Sequence, residues 1–274
     1  MKFFFVINYS LNKAMKTAKE AIKILNELNC ECAVDETQNN LLNKLNGLAK
    51  SSNQNLNSFD LIISVGGDGT VISAAKLAIK HNLPILGINA GHMGFLCGIE
   101  SNELEKLKQL TSKSYFLKQR MLLDVNYEQK HWIAINDAVV TKPTLHGFVN
   151  LKIYDKNKFI IKYRADSVLF STPTGSTAYS LSNGGPIADP NLSFIAMAPI
   201  CAHSLISRTS LFSETSVLNV EVGEESEACL VLDGIVVKLL KQNSTIQIKR
   251  SEKKLKLIYL KDINFFELVK NKFF

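Results

Sequence analysis

The sequence predicts an α/β + β fold, in which an amino-terminal α/β domain precedes a carboxy-terminal β-rich domain. In residues 1–110, continuous apolar runs typical of strands buried on both faces alternate with apolar residues at helical spacing. In residues 111–255, short alternating patterns follow one another with little helix between them. The chain has 274 residues, 46% of them hydrophobic, which is enough to build two cores of moderate size.

The first domain is predicted to be a parallel sheet with helices on its faces, because strand and helix patterns alternate along it. The predicted strands are Phe3–Ile7, Leu61–Val65 and Pro84–Ile88. The predicted helices are the apolar stripe of residues 14–28, the weaker pattern Leu41–Ala49, and Val71–Ile79. A buried first strand explains the apolar start better than a secretory signal, because the run ends at Asn8 without a cleavage site.

The second domain is predicted to be mostly antiparallel. Leu151–Tyr154 and Phe159–Ile161 are expected to form a hairpin around the polar turn Asp155–Lys158. Further short strands are predicted at Val217–Val222, Cys229–Leu232, Thr245–Ile248 and Leu255–Leu260.

Composition narrows the classes of partner and compartment. The net charge of +7 suits an anionic ligand, but the lysines are scattered and form no dense basic run with aromatics, so nucleic acid is not expected. No apolar run is long enough to span a bilayer, so no membrane association is expected. The five cysteines are odd in number and include no C-x-x-C pair, which favours a reducing, cytoplasmic location.

The sharpest local motif is Gly66-Gly67-Asp68-Gly69-Thr70, between a buried strand and a helix. Glycines there permit positive φ and close approach of a ligand, and a helix N-terminus favours phosphate. The motif is not a P-loop, because no Lys follows the last glycine. A carboxylate beside phosphate is costly unless it binds a metal or accepts a proton, so Asp68 indicates phosphoryl transfer. The simpler alternative is that Asp68-Gly69 is only a turn.

A second polar region combines Asp166 with the almost uncharged segment Ser171–Pro186, which is rich in hydroxyls and glycine. Hydroxyls and backbone N–H groups can bind sugar hydroxyls and base edges, and Tyr179 offers a face for stacking. A tight structural crossover would have a similar composition. The Asn136-Asp137 pair follows the apolar run Trp132–Ile135 and, taken alone, is typical of a turn.

Together, these motifs resemble those of the bacterial NAD kinases. The similarity consists of Gly66–Thr70, Asn136-Asp137, the Asp166–Pro186 segment and Asp233-Gly234, in the same order and spacing. It implies a Rossmann-like first domain, a β-sandwich-like second domain and an active cleft between them. The expected segments are residues 1–110 for the α/β nucleotide-binding domain, 111–255 for the β-rich NAD-binding domain, and 256–274 for a return to the first domain.

The resemblance also implies the reaction and the residues that carry it. Family members transfer the γ-phosphoryl group of ATP to the 2′-hydroxyl of the adenosine ribose of NAD, with a divalent metal ion, expected to be Mg²⁺, whose protein ligands the sequence leaves unknown. Asp68 matches the general base, and the phosphate-binding turn is Gly66, Gly67, Gly69 and Thr70. The residues that match the NAD site are Asn136, Asp137, Arg164, Asp166, Thr177, Ala178, Tyr179 and Ser182.

Two departures from the family pattern affect secondary contacts. Asp137 stands where the longer Glu is common, and Leu96 stands where many members have Tyr. Two further departures are Thr209, where Pro is frequent after Arg208, and Ile235, where a polar residue often follows Asp233-Gly234. Members are usually dimers or tetramers, so a homo-oligomer is expected. A lipid kinase that shares the glycine motif and a non-catalytic nucleotide sensor are the alternative functions; the sensor could dispense with Asp68.

Overall fold

The computed structural model describes residues 1–35, 45, 48–51, 55–91, 94–204, 207–224 and 226–273. These residues form two compact units. The first unit comprises Met1–Gln119 and Leu255–Phe274, and the second comprises Arg120–Lys254. The first unit therefore contains both ends of the described chain.

The first unit is built on one mainly parallel sheet. Its strands are β1 (Lys2–Ile7), β2 (Glu31–Asp35), β3 (Leu48–Ser51), β4 (Leu61–Gly66), β5 (Ile85–Asn89), β6 (Ile99–Glu100), β7 (Phe116–Arg120) and β20 (Leu255–Tyr259). Their order is β3-β2-β1-β4-β5-β20-β7, and β6 also pairs with β5. The helices are α1 (Asn12–Glu27), α2 (Asp68–His81), α3 (Lys108–Thr111) and, at the end of the chain, α5 (Phe265–Phe273), with a 3₁₀ turn at Leu104–Leu107.

The central strands are apolar on both faces because helices cover the sheet. β1 pairs in parallel with β4, with Phe3 opposite Leu61, and every residue of β4 is buried. The apolar stripe of α1, which includes Ala14, Ala18 and Ile22, is buried in the same core. The parallel sheet predicted from the sequence is confirmed. The three strands predicted in it, now β1, β4 and β5, and the helices at residues 14–28 and 71–79 are confirmed as well.

Strands β3 and β20 differ from what the sequence predicted for their residues. Most of the helix predicted at Leu41–Ala49 lies outside the described residues, and its last two positions, Leu48 and Ala49, belong to strand β3 instead. The pattern grouped Leu255–Leu260 with the antiparallel strands, but β20 pairs in parallel with β5, with Leu257 opposite Ile85. An alternating pattern identifies a strand but not its partner, which explains this error.

The second unit is a sandwich of two antiparallel sheets. The first sheet has the order β15-β14-β13-β10-β17-β18, and its strands are β10 (Asp137–Thr141), β13 (Ser167–Ser171), β14 (Phe194–Ile200), β15 (Ser210–Ser213), β17 (Ala228–Leu232) and β18 (Ile235–Leu240). The second has the order β12-β11-β16-β19-β8-β9, and its strands are β8 (Leu123–Tyr127), β9 (Lys130–Ala134), β11 (Val149–Asp155), β12 (Lys158–Ala165), β16 (Val217–Val222) and β19 (Thr245–Arg250).

Alternating inward residues of both sheets form a single core. Val125 and Leu151 contribute from one sheet, and Val140 and Phe170 from the other. The predicted hairpin is confirmed as β11–β12, in which Lys156 adopts φ 55° at the turn. A 3₁₀ turn at Thr174–Thr177 and the short helix α4 (Tyr179–Ser182) follow β13. In the part of the chain that the structure describes, no helix is long and apolar enough to cross a bilayer.

Candidate functional site

The glycine motif forms the link between β4 and α2 in the first unit. Gly66 ends β4, Gly67 caps the helix and Asp68 begins it. A Cβ atom on Gly66 would overlap Thr70 Oγ1, whereas a Cβ on Gly67 or Gly69 would meet none of the described residues within 4 Å. None of these glycines has a positive φ, so the conformational freedom that glycine permits is not used here. Glycine is needed at residue 66 for packing, while residues 67 and 69 leave open space for a ligand beside the helix N-terminus.

The Asp68 carboxylate is held by a segment that lies after β5. The Phe95 N–H donates to Asp68 Oδ2 over 2.7 Å, and the Leu96 N–H donates to Oδ1 over 3.0 Å. A Cβ atom on Gly94 would overlap Asp68 Oδ1, so this approach requires glycine. The backbone of residues 94–96 therefore fixes the orientation of the carboxylate at the helix N-terminus.

The carboxy-terminal helix α5 supports that segment through the Phe95 ring. The ring centroid lies 6.0 Å from that of Phe265 and 5.7 Å from that of Phe273. The Lys272 ammonium group lies 4.2 Å from the centroid of Phe95, within cation–π range. The end of the chain thus contributes to the placement of Asp68.

In the second unit, Asn136 and Asp137 lie where the chain crosses from β9 in one sheet to β10 in the other. Residues that follow β13 donate hydrogen bonds to the backbone carbonyl groups of this segment. Thr172 Oγ1 donates to the Ile135 carbonyl over 2.7 Å, and the Thr172 N–H donates to the Asn136 carbonyl over 2.9 Å. A Cβ atom on Gly175 would overlap the Asn136 carbonyl oxygen, so glycine is required there as well.

The Asp233 carboxylate accepts hydrogen bonds from the backbone N–H groups of the same segment. Its Oδ1 accepts from the N–H of Asn136 over 2.7 Å, of Ile135 over 3.1 Å and of Asp137 over 3.3 Å. Its Oδ2 accepts from Ile135 over 3.0 Å. Asp233 also donates its own N–H to the Asp137 carbonyl. The backbone of residues 135–137 is consequently held from both sides.

Asp137 is a buried carboxyl group next to a second carboxylate. It is 5% exposed. Burial, and secondarily the charge of Asp233, raise the pKa of Asp137 to about 7. Near neutral pH its carboxyl group can therefore donate a proton in a hydrogen bond as well as accept one.

The hydroxyl-rich segment after β13 divides into a buried and an exposed part. Thr172, Thr174, Ser176 and Ser180 are buried, and Ser176 Oγ accepts the Ala188 N–H over 3.1 Å. The residues that the sequence assigned to ligand binding are instead accessible: Thr177 and Ala178 are partly buried, and Tyr179 and Ser182 are exposed. Tyr179 is 47% exposed at the start of α4, with a face available for stacking. The buried residues thus fit the crossover interpretation, and ligand binding stays a prediction for the accessible ones.

Arg164 and Asp166 lie at the end of β12 beside a basic residue that the sequence did not single out. Lys142 Nζ donates to Asp166 Oδ1 over 2.7 Å, and the Arg164 guanidinium lies 3.4 Å from the centroid of Phe148. Lys142, Gly94 and the interactions of Asp233 were missed by sequence reasoning. The Asp233-Gly234 pair after an apolar run was a signal for a turn, but nothing in the pattern indicated what its carboxylate would bind.

Two domain models of one protein family together match most of the chain. The model of the ATP-NAD kinase N-terminal domain matches residues 3–115, and that of the ATP-NAD kinase C-terminal domain matches residues 135–260. The chain is 34% identical over 272 residues to the NAD kinase of Thermoanaerobacter pseudethanolicus, with 97% of this chain and 96% of that protein covered. It is 36% identical over 226 residues to the NAD kinase of Caldicellulosiruptor saccharolyticus, with 82% and 86% covered.

Solved structures show the same fold. A yeast NADH kinase complexed with NADH superposes with a TM-score of 0.89 at 23% identity, covering 100% of this chain and 87% of the other. An NAD kinase from Archaeoglobus fulgidus in complex with ATP superposes with a TM-score of 0.78 at 24% identity, covering 99% and 98%. On the strength of the matched domain models and the full-length relatives, this chain belongs to the ATP-NAD kinase family.

Proposed function

We propose that this chain performs the reaction of its family, the ATP-dependent phosphorylation of NAD to NADP, with Asp68 as the general base. Membership of the family supports the reaction, because the relatives named NAD kinase cover nearly the whole chain. The single observation that supports the role of Asp68 is its position at the N-terminus of α2, among glycines that leave space for a phosphate group.

The geometry of Asp68 suits proton transfer from a ribose hydroxyl. Each of its oxygens accepts one backbone N–H, from Phe95 or Leu96, and retains a second lone pair for the hydroxyl of the acceptor. A ribose 2′-hydroxyl is a poor nucleophile, so a base that removes its proton during attack lowers the barrier. The fixed orientation of the carboxylate also contributes, because alignment of reacting groups accounts for much of the rate in phosphoryl transfer.

We assign the acceptor site to the second unit. Asn136 and Asp137 offer an amide and a carboxyl group on a rigid backbone, which suits ribose hydroxyls and adenine edges. The exposed face of Tyr179, together with Thr177, Ala178 and Ser182, is assigned to stacking and polar contacts with NAD. Arg164 and Asp166 are assigned to the same ligand.

A divalent metal ion is part of the proposal. Among the described residues no group of three His, Cys, Asp or Glu side chains is arranged to hold an ion. Mg²⁺ commonly binds substrate phosphates and water with few protein ligands, so we assign it to the phosphates of ATP beside Gly66–Thr70. When bound there, it neutralises the charge on the transferring group.

We further propose that the protein is a cytoplasmic homo-oligomer. Strand β18 lies at the edge of its sheet and exposes Ile235, Val236 and Leu239. Apolar side chains on an edge strand favour pairing with another chain. The mass in solution, measured by light scattering, tests this assignment.

The reaction is tested by incubating the purified protein with NAD, ATP and Mg²⁺ and detecting NADP with an NADP-specific dehydrogenase. We expect NADP to form, and Asp68→Asn to abolish its formation while NAD still binds by calorimetry. Wild-type protein that binds NAD without forming NADP would support the nucleotide sensor, and protein that binds no NAD would point to a lipid kinase. Near-normal turnover by Asp68→Asn would contradict the role of Asp68 alone.

A further inference from the structure

Asp233 lies in the two-residue turn of the β17–β18 hairpin. Asp233 has φ 48° and Gly234 has φ 80°, as in a type I′ turn. Such a turn is equally well served by Asn or Gly at its first position. The turn alone therefore does not require a carboxylate at residue 233.

The carboxylate is used instead to bind a segment almost 100 residues earlier in the chain. It accepts hydrogen bonds from the N–H groups of Ile135, Asn136 and Asp137. Hydrogen bonds to an ionised acceptor are stronger than neutral ones. The carbonyl groups of Ile135 and Asn136 are bonded separately to Thr172. With the backbone fixed, the partly exposed side chain of Asn136 remains available to a ligand, and the buried Asp137 carboxyl group lies beside it.

We propose that Asp233 is a positioning residue of the acceptor site, which holds the backbone of Asn136 and Asp137 in the geometry that presents Asn136 to a ligand. The proposal rests on the proposed function, because that function assigns the Asn136–Asp137 pair to NAD. Asp233 itself touches no substrate in this proposal. It acts on binding through the pair, both by its hydrogen bonds and by its negative charge.

The effect of the Asp233 charge on the pKa of Asp137 follows from the surroundings of Asp137. On the side of β13, the residue opposite Asp137 is Ser171, which is uncharged. On the side of β17, the neighbouring group is the Asp233 carboxylate, which disfavours ionisation of Asp137. Removing that charge lowers the pKa of Asp137, although burial continues to hold it above its ordinary value.

Two substitutions separate the effect of the Asp233 hydrogen bonds from the effect of its charge. Asp233→Asn tolerates the positive φ and can place its amide oxygen where Oδ1 lies, so it keeps the contacts that Oδ1 makes to the three N–H groups, while it removes the charge and the Ile135 bond to Oδ2. Asp233→Ala removes both the hydrogen bonds and the charge. Asn243→Ala is the matched control, because Asn243 also has a positive φ, 56°, and is exposed in another turn of the same unit.

The experiment is calorimetric titration of each variant with NAD between pH 5.5 and 8.5, with the KM values for NAD and ATP measured in parallel. For Asp233→Ala we expect the Kd and KM for NAD to rise roughly tenfold, with little change in the KM for ATP. For Asp233→Asn we expect near-normal affinity but a midpoint of the pH dependence displaced to lower pH. Asn243→Ala should behave as wild type.

The outcomes distinguish this proposal from the proposed function. Failure of the wild-type protein to bind NAD would overturn the proposed function, and this proposal with it. Normal NAD binding by the wild type, with the affinity and pH midpoint unchanged in both Asp233 variants, would overturn the positioning role alone. An equal rise in the KM for ATP and NAD would also overturn it, because a general loss of structure affects both substrates.

Discussion

The Asp68 carboxylate lies so close to the Cα atom of Gly94 that any side chain at Gly94 would overlap Asp68 Oδ1. This contact occurs alongside the hydrogen bonds that Phe95 and Leu96 donate to the same carboxylate. The position of the proposed base is thus determined by a segment outside the glycine motif.

We predict that Gly94→Ala lowers kcat by roughly 10–100-fold, because a misplaced catalytic group can lose about that much rate. The new methyl group must displace either Asp68 or the 94–96 backbone. The measurement is steady-state NADP formation, with folding checked by circular dichroism. Gly91→Ala is the matched control, because among the described residues outside its immediate chain neighbours its Cβ atom would come no nearer than 4.0 Å to another group. A normal kcat for Gly94→Ala in folded protein would refute the prediction.

Tyr179→Ala is predicted to raise the KM for NAD about fivefold, corresponding to a stacking contribution of about 1 kcal/mol. The ring is 47% exposed, so its loss should leave the fold intact. Tyr179→Phe retains the ring without the hydroxyl group and should keep a KM near that of the wild type. If the Phe variant were as impaired as the Ala variant, the hydroxyl group rather than stacking would be responsible.

Asp137→Asn should remove a pH dependence of stability. The pKa of Asp137 is raised from 3.8 to about 7 in the folded state, so between these values the folded protein holds a proton that the unfolded chain has released. The wild type must therefore lose stability as the pH rises through this window. We expect Asp137→Asn to gain on the order of 2 kcal/mol relative to the wild type between pH 5 and pH 8.

Urea unfolding at pH 5 and pH 8 provides the measurement for this substitution. Asp262→Asn, which alters a carboxylate whose side chain is 81% exposed, is the control and should show no such gain. A constant difference between wild type and Asp137→Asn at the two pH values would count against a raised pKa.

Glu103→Gln is predicted to destabilise the first unit by about 1 kcal/mol at pH 7. Burial alone would raise the pKa of Glu103, but hydrogen bonds from Lys106 and Lys261 outweigh it and lower the pKa to about 2. Because a lowered carboxyl pKa stabilises the fold at high pH, the wild type should lose this advantage as the pH falls from about 4.5 towards 2.

The free energy of unfolding at pH 7 and pH 3 measures this effect. Glu105→Gln, at an exposed neighbouring position, should change stability by less than about 0.5 kcal/mol. Equal stability of Glu103→Gln and wild type at pH 7 would show that the two lysine contacts contribute nothing.

The sequence by itself determined the fold class and the positions of most elements. The periodicity of Phe3–Ile7, of residues 14–28 and of Leu61–Val65 is a local property, because burial on one or two faces dictates which residues must be apolar. The glycine motif could be recognised for the same reason, since a tight link between a buried strand and a helix constrains adjacent residues. The candidate ligand residues came from the family resemblance.

The tertiary structure decided which residues and which strands contact one another. Asp68 meets Phe95, Asp233 meets Asn136, and β20 joins β5, each across a long stretch of chain. The sequence predicted that Leu255–Leu260 is a strand, but hydrophobic patterning indicates only that a residue is buried and not which residues it contacts. Strand order and the crossing between sheets determine these contacts. The contacts orient the Asp68 carboxylate, and burial together with the nearby Asp233 raises the pKa of Asp137.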